Sequence, residues 1–189
     1  MRIIFDMDDT LVGLLDEWLK YLNSYKGIPQ KTREDILEWD MRKSYPDLTD
    51  EQLYNILSKE QLWNTVQPIV GATECLDKLK QDGHSLYIAT ASYPLSYYIK
   101  LTHCLFKHFT HFNPKNVICI YDKYLLKCDV LVDDNPENLR RSTAVRILID
   151  APHNRTCDKE CYDYRVNTFE EIYNIIKNID NARSELYYE

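Results

Sequence analysis

The sequence predicts an α/β protein: a Rossmann-like, three-layer fold with a central parallel sheet and a small helical cap inserted after the first strand. Three observations lead there. Short apolar runs recur without polar alternation, as strands buried on both faces do. Helical patterns separate most of them, which is the order of a parallel sheet. One long block after the first run holds helical patterns and no convincing strand.

The expected strands are residues 3–5, 86–89, 117–120, 130–132 and 145–149. Between them, residues 71–81 carry Cys75, Leu76 and Leu79 at helical spacing, with Gly83 placed to stop the helix. Residues 95–109 form a long amphipathic pattern. Residues 136–141 have proline in the first turn and arginines in the last, where they complement the helix dipole. Thr168 and Glu171 form a capping box that opens a last helix running to residue 179. The interrupting block spans residues 13–71, far too long for a simple crossover. It predicts helices over 14–25, 32–41 and, behind Thr49 as cap, 50–59, punctuated by Gly27-Ile28-Pro29 and Ser44-Tyr45-Pro46. The expected division is a core of residues 1–12 and 72–189 with a helical cap of residues 13–71.

The chain has 189 residues, enough for one substantial core and a small lobe. Its net charge of −7 argues against binding polymeric nucleic acid, which takes a basic surface. A small phosphorylated substrate is compatible, given a metal ion and a few fixed cations. No apolar stretch approaches a membrane span, and the first residues turn acidic too early for a secretion signal. A soluble cytoplasmic protein is expected, and a homodimer is compatible with the sequence. The six cysteines are scattered. Only Cys157 and Cys161 are close, and a zinc site there would need two further ligands where only His153 is near.

The chemistry gathers at strand ends. One run leads into Asp6-Met7-Asp8, one into Thr90 and one into Asp133-Asp134. The carboxyl ends of parallel strands share one edge, so these groups converge, and a cation is the simplest stabiliser of so many like charges. In extended chain Asp6 and Asp8 face the same side, one placed to attack phosphorus and the other to handle protons. Asp8-Asp9-Thr10 alone reads equally well as a helix cap. The second acidic strand end decides for a site. Lys123 and Lys127 both lie near that second end, and position alone does not separate them.

Asp6-Met7-Asp8-Asp9-Thr10-Leu11 resembles the first motif, DxDx[TV], of the haloacid dehalogenase-like superfamily. Thr90 resembles its second motif, and a lysine followed by Asp133-Asp134 its third and fourth. The motifs span about two thirds of the sequence in the family's order. Within the superfamily the chain is most similar to the 5′(3′)-deoxyribonucleotidases. That similarity rests on Asp6-Met7-Asp8, on Pro68-Ile69-Val70-Gly71-Ala72, on the block from Asp122-Lys123 through Asp129 to Asp134, and on residues 147–155. The spacing of the lysine block favours Lys123.

The resemblance implies a Mg²⁺-dependent phosphomonoesterase acting on (deoxy)nucleoside monophosphates, with Asp6 as nucleophile and Asp8 as acid and base. It implies Mg²⁺ on the Asp6 carboxylate, the Asp8 carbonyl and an acid from Asp133-Asp134, with Asp134 the closer. Thr90 and Lys123 would orient the transferring oxygens. Ala91, Ser92, Lys100, Trp18 and Trp39 are further candidate substrate contacts. Family members preferring pyrimidines stack the base on aromatics, whereas the corresponding loop here carries Leu14 and Leu15; Tyr45 and Trp63 are other candidates for that place. The rival readings are a phosphatase for another small phosphomonoester and a phospho-acceptor signalling module. In such modules the acidic pair comes first in sequence, and here it comes last. A catalytically silent binding protein is disfavoured because every expected catalytic position is filled.

Overall fold

A computed structural model describes residues 1–110 and 112–186. Six strands form one all-parallel sheet: β1 (Arg2–Phe5), β2 (Ser85–Thr90), β3 (Val117–Cys119), β4 (Val130–Asp133), β5 (Val145–Ile149) and β6 (Tyr164–Val166). Their spatial order is β3-β2-β1-β4-β5-β6. The chain builds outward from β1 on one side, then returns to start again at β4. The switch point, where open α/β sheets bind ligands, therefore lies between β1 and β4. Register is set by pairs such as Phe5 with Ile88 on one side of β1 and with Val132 on the other.

Strand alternation builds the layers. Ile3, Phe5, Val130 and Val132 join the main apolar cluster, which includes residues of α5 (Ala72–Gln81), α6 (Pro94–Lys100) and α9 (Phe169–Leu186). Ile4, Leu131 and Leu148 point to the other face and pack with Leu139 of α8 (Pro136–Arg140). Both faces are covered, which is why these strands read as continuous apolar runs.

The block after β1 holds α1 (Leu14–Leu22), α2 (Met41–Ser44), α3 (Asp50–Tyr54) and α4 (Glu60–Thr65) and no strand. It leaves and re-enters the core at one place. Val12 bridges Pro68, the Gly13 N–H donates to the Gln67 carbonyl at 2.9 Å, and the Ile69 N–H donates to the Leu11 carbonyl at 2.9 Å. Leu15, Trp18, Leu19, Leu22, Ile36 and Leu53 form part of an apolar cluster internal to this block. Leu62, Trp63 and Val66 belong instead to the main core.

Four local expectations are corrected. The helix expected over 32–41 is only a tight turn at Arg33–Asp35, where the Asp35 carboxylate accepts from the Thr32 N–H and hydroxyl at 2.7 Å each. Side-chain bonds of that kind offer the backbone an alternative to helix. The helix over 95–109 runs from α6 into a π-helical turn at Leu101–Leu105 and ends in α7 (Phe106–His108). The helix at 50–59 tightens into a 3₁₀ segment at Asn55–Ser58. Strand β6 was not expected; three residues offer too short a pattern to read.

Candidate active site

Three strand ends meet at the switch-point edge: Asp6 after β1, Thr90 at the end of β2, and Asp133 at the end of β4 with Asp134 behind it. The Asp6 N–H donates to the Val132 carbonyl at 2.9 Å, which carries the sheet one residue past β1. Met7 is fully buried in the main core, so Asp6 and Asp8 on either side of it turn the other way.

Beyond Asp8 the chain folds back. The Leu11 and Val12 N–H groups both donate to the Met7 carbonyl, at 2.8 and 3.0 Å. Asp9 sits at φ +54°, the one non-glycine residue of the described chain in the left-handed region, which aspartate tolerates better than most. Its carboxylate accepts from the Leu15 N–H at 3.1 Å and from Arg33 Nη2 at 2.7 Å. Asp9 thus fastens the start of α1 and the Arg33 turn to the loop that carries Asp6 and Asp8.

Lys123 is 3% exposed, and its Nζ lies 2.5 Å from Asp6 Oδ1 and 2.8 Å from Asp133 Oδ2. Lys127 lies near Met1 and Arg2 at the other end of the strands, where its carbonyl accepts from Arg2 Nη1 at 2.8 Å. Asp133 is fully engaged: Oδ1 accepts from the Asn135 N–H at 2.8 Å, and Oδ2 from Asn138 at 3.0 Å as well as from Lys123. Asp134 is not. Its Oδ2 is buried and accepts no well-directed hydrogen bond, although His153 Nε2 stands 3.3 Å away. That nitrogen also lies 3.2 Å from the Asp134 carbonyl, to which Asn154 Nδ2 donates at 2.7 Å.

Oxygens of Asp6, Asp133 and Asp134 all lie within 4.8 Å of one another, the only such group of potential metal ligands among the described residues. Cys157 and Cys161 are not members of this group. Burial is the main cause that pushes the Asp6 carboxyl well above the usual carboxylate range; Lys123 opposes it, and Asp133, Asp134 and Asp8 add to it. Burial likewise raises Asp133 against the pull of Lys123. Lys123 is held charged because these two carboxylates outweigh its own desolvation. Asp9 is raised to about 7 by burial, less what Arg33 takes back.

On the other side of Asp6 lies a second buried ammonium group. Lys100 Nζ is 2.7 Å from Asp8 Oδ2 and 2.6 Å from Thr90 Oγ1. Four carboxylates, Asp6, Asp8, Asp133 and Asp134, thus face two lysines, with the His153 ring 3.3 Å from Asp134. When the carboxylates and lysines are ionised and His153 is neutral, the excess is two negative charges, the charge of one divalent cation. The all-oxygen donor set suits a hard ion, and the orphaned Asp134 Oδ2 gives it a free ligand atom.

A cleft of about 410 Å³ opens from Asp8 and Asp134 toward the inserted block, walled by Leu14, Leu15, Trp18 and Trp39. Trp18 is fixed by its indole N–H on the Leu53 carbonyl at 2.8 Å. Trp39 is 55% exposed and meets the His153 ring edge-on at 5.1 Å. Tyr45 is buried inside the block, and Trp63 lies in the main core. Ala91 touches the cluster through its carbonyl, which accepts from Lys100, and the Ser92 carbonyl accepts from Cys119 at 3.6 Å. The site also includes three residues that sequence reasoning did not single out: Arg33, His153 and Asn154. The last two fall in the stretch that resembled family members, but nothing local marks them.

Known proteins resemble this chain along nearly its whole length. The model of the family "5′ nucleotidase, deoxy (Pyrimidine), cytosolic type C protein" matches residues 1–183. The 5′(3′)-deoxyribonucleotidase of Bacillus subtilis is 33% identical over 171 residues, covering 90% of this chain and 95% of its own. The 5′(3′)-deoxyribonucleotidase of Clostridium acetobutylicum is 30% identical, covering 80% and 82%. Among solved structures, a HAD family hydrolase of Deinococcus radiodurans with bound phosphate and sodium shares the fold, with a TM-score of 0.64 at 14% identity over 90% of this chain and 92% of that one. No helix among the described residues is long and apolar enough to cross a membrane. The chain belongs to the 5′(3′)-deoxyribonucleotidase family, on a haloacid dehalogenase-like fold, and is a hydrolase of the phosphomonoesterase class.

Proposed function

We propose that this protein removes phosphate from (deoxy)nucleoside monophosphates through an aspartyl-phosphate on Asp6. The observation that carries the reading is the buried Asp6–Lys123–Asp133 array beside a free Asp134 oxygen at the mouth of a nucleotide-sized cleft. In the first step an Asp6 oxygen bonds to phosphorus as the bond from phosphorus to the sugar oxygen breaks, and Asp8 gives that oxygen its proton. In the second, water bonds to phosphorus, the bond to Asp6 breaks, and the water proton passes to Asp8. Lys123 spends two N–H groups on Asp6 and Asp133 and keeps one for a phosphate oxygen. Thr90 supplies a hydroxyl to another.

Asp6, the Asp8 carbonyl and Asp134 would hold the metal, with Mg²⁺ the ion that suits them. When bound it supplies positive charge that offsets repulsion between the nucleophile and the phosphate. Asp133, with both oxygens bonded, acts on Lys123 instead. The block at 13–71 serves as a cap, Trp39 and Trp18 forming its base-facing wall. All six cysteines are free thiols, in keeping with a reducing cytoplasm.

The test is phosphate release from dUMP and dTMP with Mg²⁺, repeated with Asp6→Asn and with a chelator. Turnover is expected to vanish in both controls; turnover unchanged in either overturns the mechanism. A panel of non-nucleotide phosphomonoesters measures how far the cleft selects nucleotides.

A further inference from the structure

Lys100 lies on α6, outside the run of strand ends, and at 1% exposure it is among the most buried charges in the chain. Burying an ammonium group is costly unless its hydrogen bonds are satisfied. Here they are. An ammonium has three N–H donors, and Lys100 Nζ has three protein acceptors: Asp8 Oδ2 at 2.7 Å, Thr90 Oγ1 at 2.6 Å and the Ala91 carbonyl at 3.2 Å. The Trp63 ring, centred 5.7 Å away, covers another side of the charge. No N–H is left over for a phosphate oxygen, in contrast to Lys123.

We propose that Lys100 is a positioning residue, which fixes the Asp8 carboxylate for proton transfer without itself touching the substrate. Two consequences follow from the bond directions. Thr90 Oγ1 accepts from Lys100, so its own hydrogen is directed away from the lysine and is free for a phosphate oxygen. Asp8 Oδ2 is anchored by Lys100, and the side chain, 23% exposed, lines the cleft. The carboxylate so held passes the proton to the leaving oxygen and takes one back from water. An anchored carboxylate keeps its orientation, which is what a general acid needs. The π-helical turn begins at the residue after Lys100 and widens the helix where α4, with Trp63, packs against it.

This inference rests on the aspartyl-phosphate reading, and the experiment separates the two. The variants are Lys100→Met, of similar length but with no donor, and Lys100→Gln, which keeps two. With Mg²⁺ and enzyme in excess, the first-turnover rate is measured for deoxyuridine release from dUMP and for p-nitrophenol release from p-nitrophenyl phosphate. The sugar oxygen needs a proton as it leaves; p-nitrophenolate does not. Lys100→Met is expected to slow deoxyuridine release by about 100-fold while p-nitrophenol release stays within about 3-fold, with apparent substrate affinity unchanged. Lys100→Gln is expected to fall between Met and Lys. Equal losses for both substrates, a weakened affinity in step with the rate, or a Gln variant no better than Met overturns the proposal, the first two marking Lys100 as a phosphate ligand or a general structural support. Asp6→Asn with wild-type turnover overturns the underlying reading instead. Should Lys100→Met fail to fold, the substrate ratio of the Gln variant decides alone.

Discussion

Arg33, in a turn of the inserted block, donates to Asp9, in the loop that carries the strand-end carboxylates, across 2.7 Å. The same guanidinium reaches Asp16 of α1 at 3.0 Å, so one side chain holds three segments together. Replacing it with methionine leaves the Asp9 carboxylate buried with only the Leu15 N–H, and is expected to cost about 2 kcal/mol of stability, read by urea unfolding.

Asp9 also gives stability a pH dependence of known sign. Its carboxyl is raised from 3.8 to about 7 in the folded chain, so the folded state binds the proton more tightly than the unfolded one. The stability from the protonated form is full below the unfolded value and is lost as pH rises through about 7. Asp9→Asn is expected to flatten this fall between pH 4 and pH 7 relative to wild type. Denaturant midpoints across that window check it; parallel curves would count against it.

Crowding of carboxylates predicts opposite effects of one substitution in two buffers. Asp134→Asn removes a charge from the repelling group, so in chelator its melting temperature is expected to exceed that of wild type. In saturating Mg²⁺ the order reverses, because wild type gains about 2.7 kcal/mol at a hundred times its dissociation constant and the variant gains little. Thermal melts with and without the metal show whether the curves cross.

Asn154 is a second point of leverage. Its Nδ2 donates to the Asp134 and Ile149 carbonyls at 2.7 and 2.8 Å, and its Oδ1 accepts from the Ala151 N–H and Arg165 at 3.1 Å each. Asn154→Leu is expected to cost about 2–3 kcal/mol and to weaken Mg²⁺ binding by roughly 10-fold or more. Calorimetric titration of the metal measures the second effect independently of the first.

Trp39 is the cleft's exposed aromatic, and its loss should touch binding alone. Trp39→Ala is expected to raise KM for dUMP about 5- to 10-fold, the loss of one base–aromatic contact, with kcat and melting temperature unchanged. The same variant should handle p-nitrophenyl phosphate as wild type does.

Much of this was legible in the sequence, for identifiable reasons. Strands β1, β2, β4 and β5 are buried on both faces and so leave unbroken apolar runs. Asp6, Thr90 and Asp133-Asp134 stand where those runs stop, and a shared sheet edge brings them together without any further information. Lys123 needed the family spacing, because a lysine on a short 3₁₀ turn carries no pattern of its own. His153 and Asn154 were legible only as part of the family-like stretch 147–155, since they reach Asp134 across the turn after β5. Residues 32–41 read as helix because periodicity does not register that Arg33 and Glu34 are bound elsewhere, Glu34 by Arg155 at 2.6 Å.

The paired crossing at Val12 and Pro68 gives the inserted block the outline of a separable module. The side chains draw the seam elsewhere. Residues up to Leu57 pack largely among themselves, whereas Leu62, Trp63 and Val66 are part of the main core, and Trp63 roofs Lys100. A chimera that swaps residues 14–57 exchanges the cleft walls and leaves the floor intact only if it keeps Arg33 on Asp9 and Glu34 on Arg155. One that swaps everything between the crossing points takes that roof away as well. The packing therefore ends the separable part of the block before α4.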